Sequence, residues 1–223
     1  MANDTQVPLE LVRIAGGSGA VRVHAVAGLG AVSVDGASVV VEGAAATVDG
    51  GSSRVEMRVP EGLDLVIGTS SGRVEVLGSV GSVAVITTSG KVLVDEAASV
   101  DVRTKSGKVD VNAVSGECRI IGGSGRVTVG RCGASHVTTD SGRITLREAH
   151  GKVHAHCSSG RVDVTMVTAS DVDAETVSGR ITIAMPADAN VRVDTPASTT
   201  VGVRGEYDCV VTARSGTGRV VVR

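Results

Sequence analysis

A four-residue motif, serine-glycine-basic-aliphatic, recurs seven times at nearly constant spacing and restricts the fold more than any other feature of the chain. The copies lie between residues 71 and 181 and read SGRV, SGKV, SGKV, SGRV, SGRI, SGRV and SGRI. Their glycines are 17 to 19 residues apart: Gly72, Gly90, Gly107, Gly125, Gly142, Gly160 and Gly179. A fixed period this short is typical of a β-solenoid, in which every repeat forms one coil.

Each repeat contains two short strands. Aliphatic residues stand two and four places after the glycine with a mostly polar residue between them, as in Val109, Asp110 and Val111. A second alternating segment, such as Val100 to Val102, precedes the glycine. Alternation with a period of two indicates a strand with one buried face. If the coils stack at the strand spacing of about 4.8 Å, the aliphatic residues form continuous inner columns.

The composition favours a narrow interior, because the chain has no phenylalanine or tryptophan and only one tyrosine. We therefore predict an all-β fold, a single-domain parallel β-helix (β-solenoid) over residues 1–223 with about 12 coils of 17–19 residues. Residues 53–185 hold the most regular repeats, 1–17 are expected to form an N-terminal cap or first strand, and 186–223 degenerate C-terminal coils. Parallel crossovers favour a right-handed helix, although an 18-residue period also equals three hexapeptides of a left-handed one.

The recurring SG-(K/R)-VxV motif and its companion VxV strand resemble a bacterial family of putative adhesins, the β-strand-repeat proteins that carry the domain of unknown function numbered 4097. The opening VPLELVRIAGGSGAVRVHAV is similar to the beginning of members of that family. This resemblance covers essentially the whole chain and implies no catalytic residues. The coil length also resembles that of bactofilins, cytoskeletal β-helices that polymerise end to end without nucleotide; this likeness is architectural.

A basic residue follows every glycine of the motif and should point outward, because it alternates with the inward valine column. One interpretation is a solvated face that Glu75, Asp110 and Asp163 partly neutralise. The other is a binding strip for an anionic polymer, a membrane surface or an acidic protein partner. Nucleic acid is disfavoured because the chain has almost no aromatic side chains on which bases could stack. The predicted basic ladder consists of Arg73, Lys91, Lys108, Arg126, Arg143, Arg161 and Arg180.

Three histidines form a candidate metal site. His136 and His154 occupy equivalent positions in adjacent repeats, and His156 points the same way two residues later. Imidazoles brought together on neighbouring coils can bind Zn²⁺, an arrangement that resembles the metal site of β-helical, gamma-class carbonic anhydrases. The alternative is a group of exposed histidines without a ligand.

The serines, carboxylates and cysteines of the sequence show no pattern that is typical of a catalytic site. A serine precedes each glycine of the motif, but no column of bases accompanies these serines, so they are expected to cap the turns. The carboxylates show no paired constellation, and the four cysteines have no CxxC spacing, which indicates reduced structural thiols. We predict that the protein is not an enzyme and needs no cofactor.

The C-terminal segment GRVVVR stops inside a strand pattern and predicts an exposed sheet edge at Val220, Val221 and Val222. Open edges pair with other chains unless they are blunted, which Arg219 and Arg223 could do. The functional interpretation is self-association into a homo-oligomer or an end-to-end polymer.

The net charge of −2 shows no global bias toward nucleic acid or membrane. Residues 1–14 lack the features of a signal peptide and no apolar run could span a membrane, so a cytoplasmic protein without a transmembrane segment is expected. The leading hypothesis is a structural or scaffolding rod that self-associates. The alternative is a binding module that uses the basic ladder, and a metal-dependent enzyme at the histidines is a distant third.

Overall fold

The computed structural model describes residues 3–5, 9–195 and 207–223, and their regular structure is entirely β. Residues Met1–Val114 and Ser115–Arg223 form two compact units, which are described separately. Long runs of parallel strands stack in both, so the predicted all-β solenoid is confirmed. The described residues include no helix that is long and apolar enough to cross a membrane. The right-handed sense and the single domain stay predictions.

The first unit contains ten strands. They are β1 Asn3–Thr5, β2 Leu11–Gly16, β3 Val21–Val26, β4 Val32–Asp35, β5 Ser38–Glu42, β6 Ala45–Gly51, β7 Val55–Pro60, β8 Asp64–Thr69, β9 Val74–Thr87 and β10 Lys91–Val114. The last two strands are long because their parallel pairing continues through the bends of the coil, with Val92 beside Val74 and Val102 beside Val85.

The coils of the first unit do not stack in sequence order. Strand β2 lies between β6 and β8, and β3 lies between β7 and β9, with parallel pairing on both sides. The segment 1–17 contributes β1, which pairs antiparallel with β4, and the inner strand β2. Strands β4 and β5 pair antiparallel with β7 and β6, so this part of the chain departs from the parallel β-helix predicted for residues 1–223. After β2 and β3, the antiparallel strands β4 and β5 lead to β6 and β7, which lie on one side of β2 and β3. Strands β8 and β9 then pair on the other side.

The second unit contains six strands, five of which repeat one register. They are β11 Cys118–Cys132, β12 Ser135–Ala149, β13 Val153–Met166, β14 Val172–Ala184, β15 Val191–Asp194 and β16 Cys209–Val222. From β11 to β14 each strand lies parallel beside its sequence neighbour, so equivalent positions of the repeat stack directly. Strand β16 then pairs with β14, and β15 lies on the other edge of β16. Sequence order is thus broken in this unit too. Residues 196–206, part of the predicted degenerate C-terminal coils, lie outside the described residues.

The interior of the second unit is built from the predicted aliphatic columns. Every member of these columns from β11 to β14 is at most 3% exposed: Val127, Ile144, Val162, Ile181, Val129, Leu146, Val164 and Ile183. All four cysteines also lie inside: Cys118, Cys132, Cys157 and Cys209. At the last strand the columns end, because Val220 and Val222 are only half-buried.

A column of glycines brings neighbouring coils unusually close together. Gly142 has φ = +127°, a left-handed conformation that side chains rarely adopt. A Cβ atom at this position would overlap the carbonyl oxygen of Gly125 in the coil beside it. The same relation joins Gly160 to Gly142 and Gly179 to Gly160. The glycine of the repeat is therefore required by the stacking as well as by the turn.

Candidate functional site

Five arginines form one continuous row in the second unit. Each follows the glycine of its coil, and each pairs in register with the next along the row. Four of the side chains are exposed, and that of Arg161 is half-buried. Four members were predicted from the repeat; the fifth was missed as a member of the ladder because 39 residues, not 17 to 19, separate its glycine from Gly179. We call this row the arginine strip: Arg126, Arg143, Arg161, Arg180 and Arg219.

The arginine strip has no acidic partner among the described residues, whereas the three ladder residues of the first unit, Arg73, Lys91 and Lys108, do. Arg73 lies 3.3 Å from Glu75. Lys108 and Lys91 lie 2.7 and 3.7 Å from the same oxygen of Asp110. The predicted ladder thus has two parts. In the first unit, acidic residues neutralise the ladder, as one of the two interpretations predicts. In the second unit, no described acidic residue does so.

A second arginine of the first unit, Arg22, also pairs with Glu75. Arg22 donates a hydrogen bond of 2.8 Å to Glu75, although the two residues are 53 positions apart. This hydrogen bond lowers the pKa of the Glu75 carboxyl below its usual 4.5. The carboxylate is therefore held in its charged form beside Arg73 and Arg22.

The two units also differ in formal charge. Residues 1–114 contain nine lysines and arginines and thirteen acidic residues, a net charge of −4. Residues 115–223 contain thirteen lysines and arginines and eleven acidic residues, a net charge of +2. The near-neutral total hides this difference, so the positive potential around the arginine strip is larger than the whole-chain composition suggests.

The three candidate metal ligands lie close together on β12 and β13. The rings of His136 and His154 have centroids 5.9 Å apart. The Nδ1 atom of His154 lies 3.7 Å from Asp173, and that of His156 lies 3.5 Å from Glu175. No group of three or more His, Cys, Asp or Glu side chains in the described ranges is placed to hold a metal ion. Two histidines thus face carboxylates of the next coil, and the metal site stays a prediction.

Among the described residues, the serine hydroxyls of the repeat form no hydrogen bonds that cap its turns. Inner threonines cap the turns in the first unit, where the hydroxyls of Thr87 and Thr104 donate to the carbonyl oxygens of Ser89 and Ser106. In the second unit four serine hydroxyls make no hydrogen bond to any described residue: Ser124, Ser141, Ser159 and Ser178. The expected capping role is therefore wrong for these four, and their hydroxyls are available to a ligand.

All four cysteines are free and buried. Burial raises the pKa of the Cys118 thiol from 9.0 to about 12, with a smaller contribution from nearby Cys132. Burial also raises the pKa values of the Cys132 and Cys209 thiols. Thiolates are the nucleophilic form, so these groups are poorly suited to catalysis.

We expect Cys118 to resist thiol reagents in the native protein. A pKa increase of about three units lowers its thiolate fraction at pH 8 roughly a thousandfold, and burial blocks access as well. Mass spectrometry after alkylation should therefore find Cys118 unmodified until urea is added, whereas all four cysteines should react in urea. Because the unfolded thiol titrates at a lower pH, stability should also fall as the pH rises from 9 toward 12. Rapid native labelling of Cys118 would contradict the buried position.

The predicted self-association edge lies on the last strand. Val220, Val221 and Val222 pair with Ile181, Thr182 and Ile183 of β14. Their side chains are half-buried. On its other edge β16 pairs with β15 only from Cys209 to Thr212, as far as the described residues extend.

Comparisons with known proteins agree with the repeat. The model of one family, described as Toastrack DUF4097, matches residues 5–203. No curated protein matches the chain significantly. A solved structure of a putative cell adhesion protein from Clostridium sporogenes is 9% identical and covers 100% of this chain and 98% of its own, with a TM-score of 0.23. The match over most of the sequence confirms the resemblance that the repeat indicates. The chain belongs to the Toastrack DUF4097 family.

Proposed function

We propose that the protein is a non-enzymatic structural or interaction protein that self-associates through its last strand, with the cytoplasm as its expected location. The repeat of this chain consists of stacked aliphatic columns, turns and an outer basic row. Solenoids stack coils by backbone pairing, so a strand edge that the described residues leave uncovered, such as that of β16, is a natural place for a second copy to bind.

The observation that carries this proposal is the direction of the peptide groups at the end of β16. The N–H of Arg223 donates to Ile183 at 2.9 Å, and its C=O accepts from Met185 at 2.8 Å. Peptide groups alternate in direction along a strand, so those of Val220 and Val222 point to the opposite edge. In the described part of the chain nothing pairs with that edge beyond Thr212.

The side chains at the same place favour a protein partner. The inner columns are fully buried in β14, at Ile181 and Ile183, but only half-buried one coil later, at Val220 and Val222. A strand from a second copy would bury these valines, and its carbonyl oxygens would accept hydrogen bonds from the outward N–H groups. Both effects stabilise a complex, since apolar burial contributes about 25 cal/mol per Å².

Replacing Val222 with proline tests this edge. Proline removes an outward N–H and is tolerated at a strand edge, so the pairing with β14 should survive. We expect wild-type oligomers in light scattering that persist in high salt, where charge interactions are screened. The V222P variant should dissociate, whereas V222A, which keeps the N–H, should still associate. A wild-type protein that stays monomeric at high concentration, or equal association of V222P and wild type, would contradict the proposal.

A further inference from the structure

We propose that the arginine strip binds a linear acidic polysaccharide, a polymer that carries both carboxylates and hydroxyl groups along its length. This inference does not depend on self-association, because the arginine strip lies along the coils of the second unit and involves residues from all five of its long strands. Three properties of the strip support it: the linear arrangement of the charges, the absence of partners, and the rows of hydroxyl groups beside them.

The charges lie in a straight sequence of neighbouring strands. Five residues at the strand spacing of about 4.8 Å place the first and last Cα atoms of the strip about 19 Å apart. Like charges this close repel one another, at about 1 kcal/mol per pair even in bulk water. A polyanion laid along the row would replace this repulsion with attraction. A single small anion could contact only one or two arginines.

None of the five guanidinium groups is occupied by a described side chain. No hydrogen bond or ion pair within the described ranges involves any of them, in contrast to Arg73 and Lys108 of the first unit. Asp163 is the one acidic residue in the column two places after the arginines, and it forms no ion pair with them. Planar guanidinium groups with free donors match the geometry of carboxylates.

Rows of hydroxyl groups flank the arginine strip on both sides. Two positions before the arginines stand four serines, and Thr217 continues their row. Two positions after the arginines stand Thr128, Thr145 and Thr182. All of these hydroxyls except that of Thr217, which lies 3.5 Å from a backbone oxygen, are without a partner among the described residues. Hydroxyls donate and accept hydrogen bonds, as the hydroxyl groups of sugars do, so a basic row between two hydroxyl rows matches an acidic polysaccharide.

The same chemistry disfavours other polyanions. Single-stranded nucleic acid binds on aromatic side chains that stack with bases, and the chain has neither phenylalanine nor tryptophan. A membrane surface would favour apolar side chains that insert among the lipids, but small polar residues flank the strip. Polyphosphate would satisfy the arginines but has no hydroxyl groups to pair with the serines and threonines.

Binding of polygalacturonate, a carboxylated polysaccharide, tests the proposal in the full-length protein. We expect titration calorimetry to detect binding at low salt that weakens as salt is added. The double variant R143E/R180E should reduce the affinity at least tenfold. The control R147E/R214E changes the net charge equally at two exposed arginines outside the strip and should bind like the wild type.

Further probes separate the classes of ligand. The triple variant S141A/T145A/T182A keeps all the charges, so it should weaken binding of polygalacturonate several-fold and leave any binding of polyphosphate unchanged. Neutral dextran should not bind. The proposal is overturned if R143E/R180E binds polygalacturonate like the wild type. It is equally overturned if polyphosphate, single-stranded DNA or phosphatidylserine vesicles bind more tightly than polygalacturonate. Association in light scattering, measured on the same variants, should not change, which distinguishes a failure of this inference from a failure of the assembly.

Discussion

Replacing Gly142 with alanine is expected to lower the free energy of unfolding by about 3 to 5 kcal/mol, because two costs combine at this position. The backbone at φ = +127° disfavours any side chain, and the new Cβ would overlap the carbonyl oxygen of Gly125. The coils on both sides hold this contact in place, so little relaxation is available. Urea denaturation followed by circular dichroism measures the effect.

A control variant separates the two costs. Gly28 also has a positive φ, of +71°, but no atom lies within 4 Å of the position that its Cβ would take. We expect G28A to lower stability by about 1 kcal/mol, from the backbone conformation alone. If G142A and G28A destabilise the protein equally, the close approach of the stacked glycines is wrong.

Replacing Ile144 with alanine is expected to cost about 3 kcal/mol of unfolding free energy. Ile144 is fully buried in the inner column between Val127 and Val162, and removing its side chain leaves a cavity that the rigid stack cannot fill. The neighbouring outward residue provides the control, since T145A should change stability by less than about 0.5 kcal/mol. Thermal and urea unfolding should agree on this order. Equal effects of the two substitutions would mean that the strand does not present alternate faces to the core and to solvent.

The regular part of the fold is predictable because successive coils stack in register, so the neighbours of a residue can be found from the sequence period alone. When equivalent residues of successive coils lie side by side, as Gly125, Gly142 and Gly160 do, the period of the sequence gives the spatial neighbours directly. The inner valine columns and four of the five members of the arginine strip follow from the same rule. The contact between His136 and His154 follows from it too.

The order of the coils at the irregular ends could not be predicted, for a physical reason. Alternation with a period of two shows that a segment is a strand, but it does not show which strand lies beside it or in which direction. Strand β5 alternates like a coil strand and yet pairs antiparallel with β6. The pairing of Arg22 with Glu75 depends on this order, because β3 reaches β9 only when the intervening coil lies on its other side.

The sequence indicated which acidic residues could neutralise the basic ladder, but not which of them form ion pairs with it. Acidic residues stand two positions after the basic residue in both units, at Glu75 and Asp110 in the first and at Asp163 in the second. Only the first two form ion pairs in the described ranges. The rotamers that bring the charges together depend on neighbouring coils, and Arg22 supplies such a neighbour for Glu75. Arg219 could not be assigned to the ladder from the period either, because no copy of the motif stands between Gly179 and Gly218.

The position of β15 has a consequence for synthesis on the ribosome. Strands β12 to β14 can each add to a strand that has already emerged, so this part of the sheet can grow as translation proceeds. Strand β15 pairs, within the described residues, with β16 alone. It must therefore wait, without its partner strand, until β16 has left the exit tunnel and inserted beside β14. A nascent chain that ends before β16 would therefore lose β16 and also the strand pairing of β15.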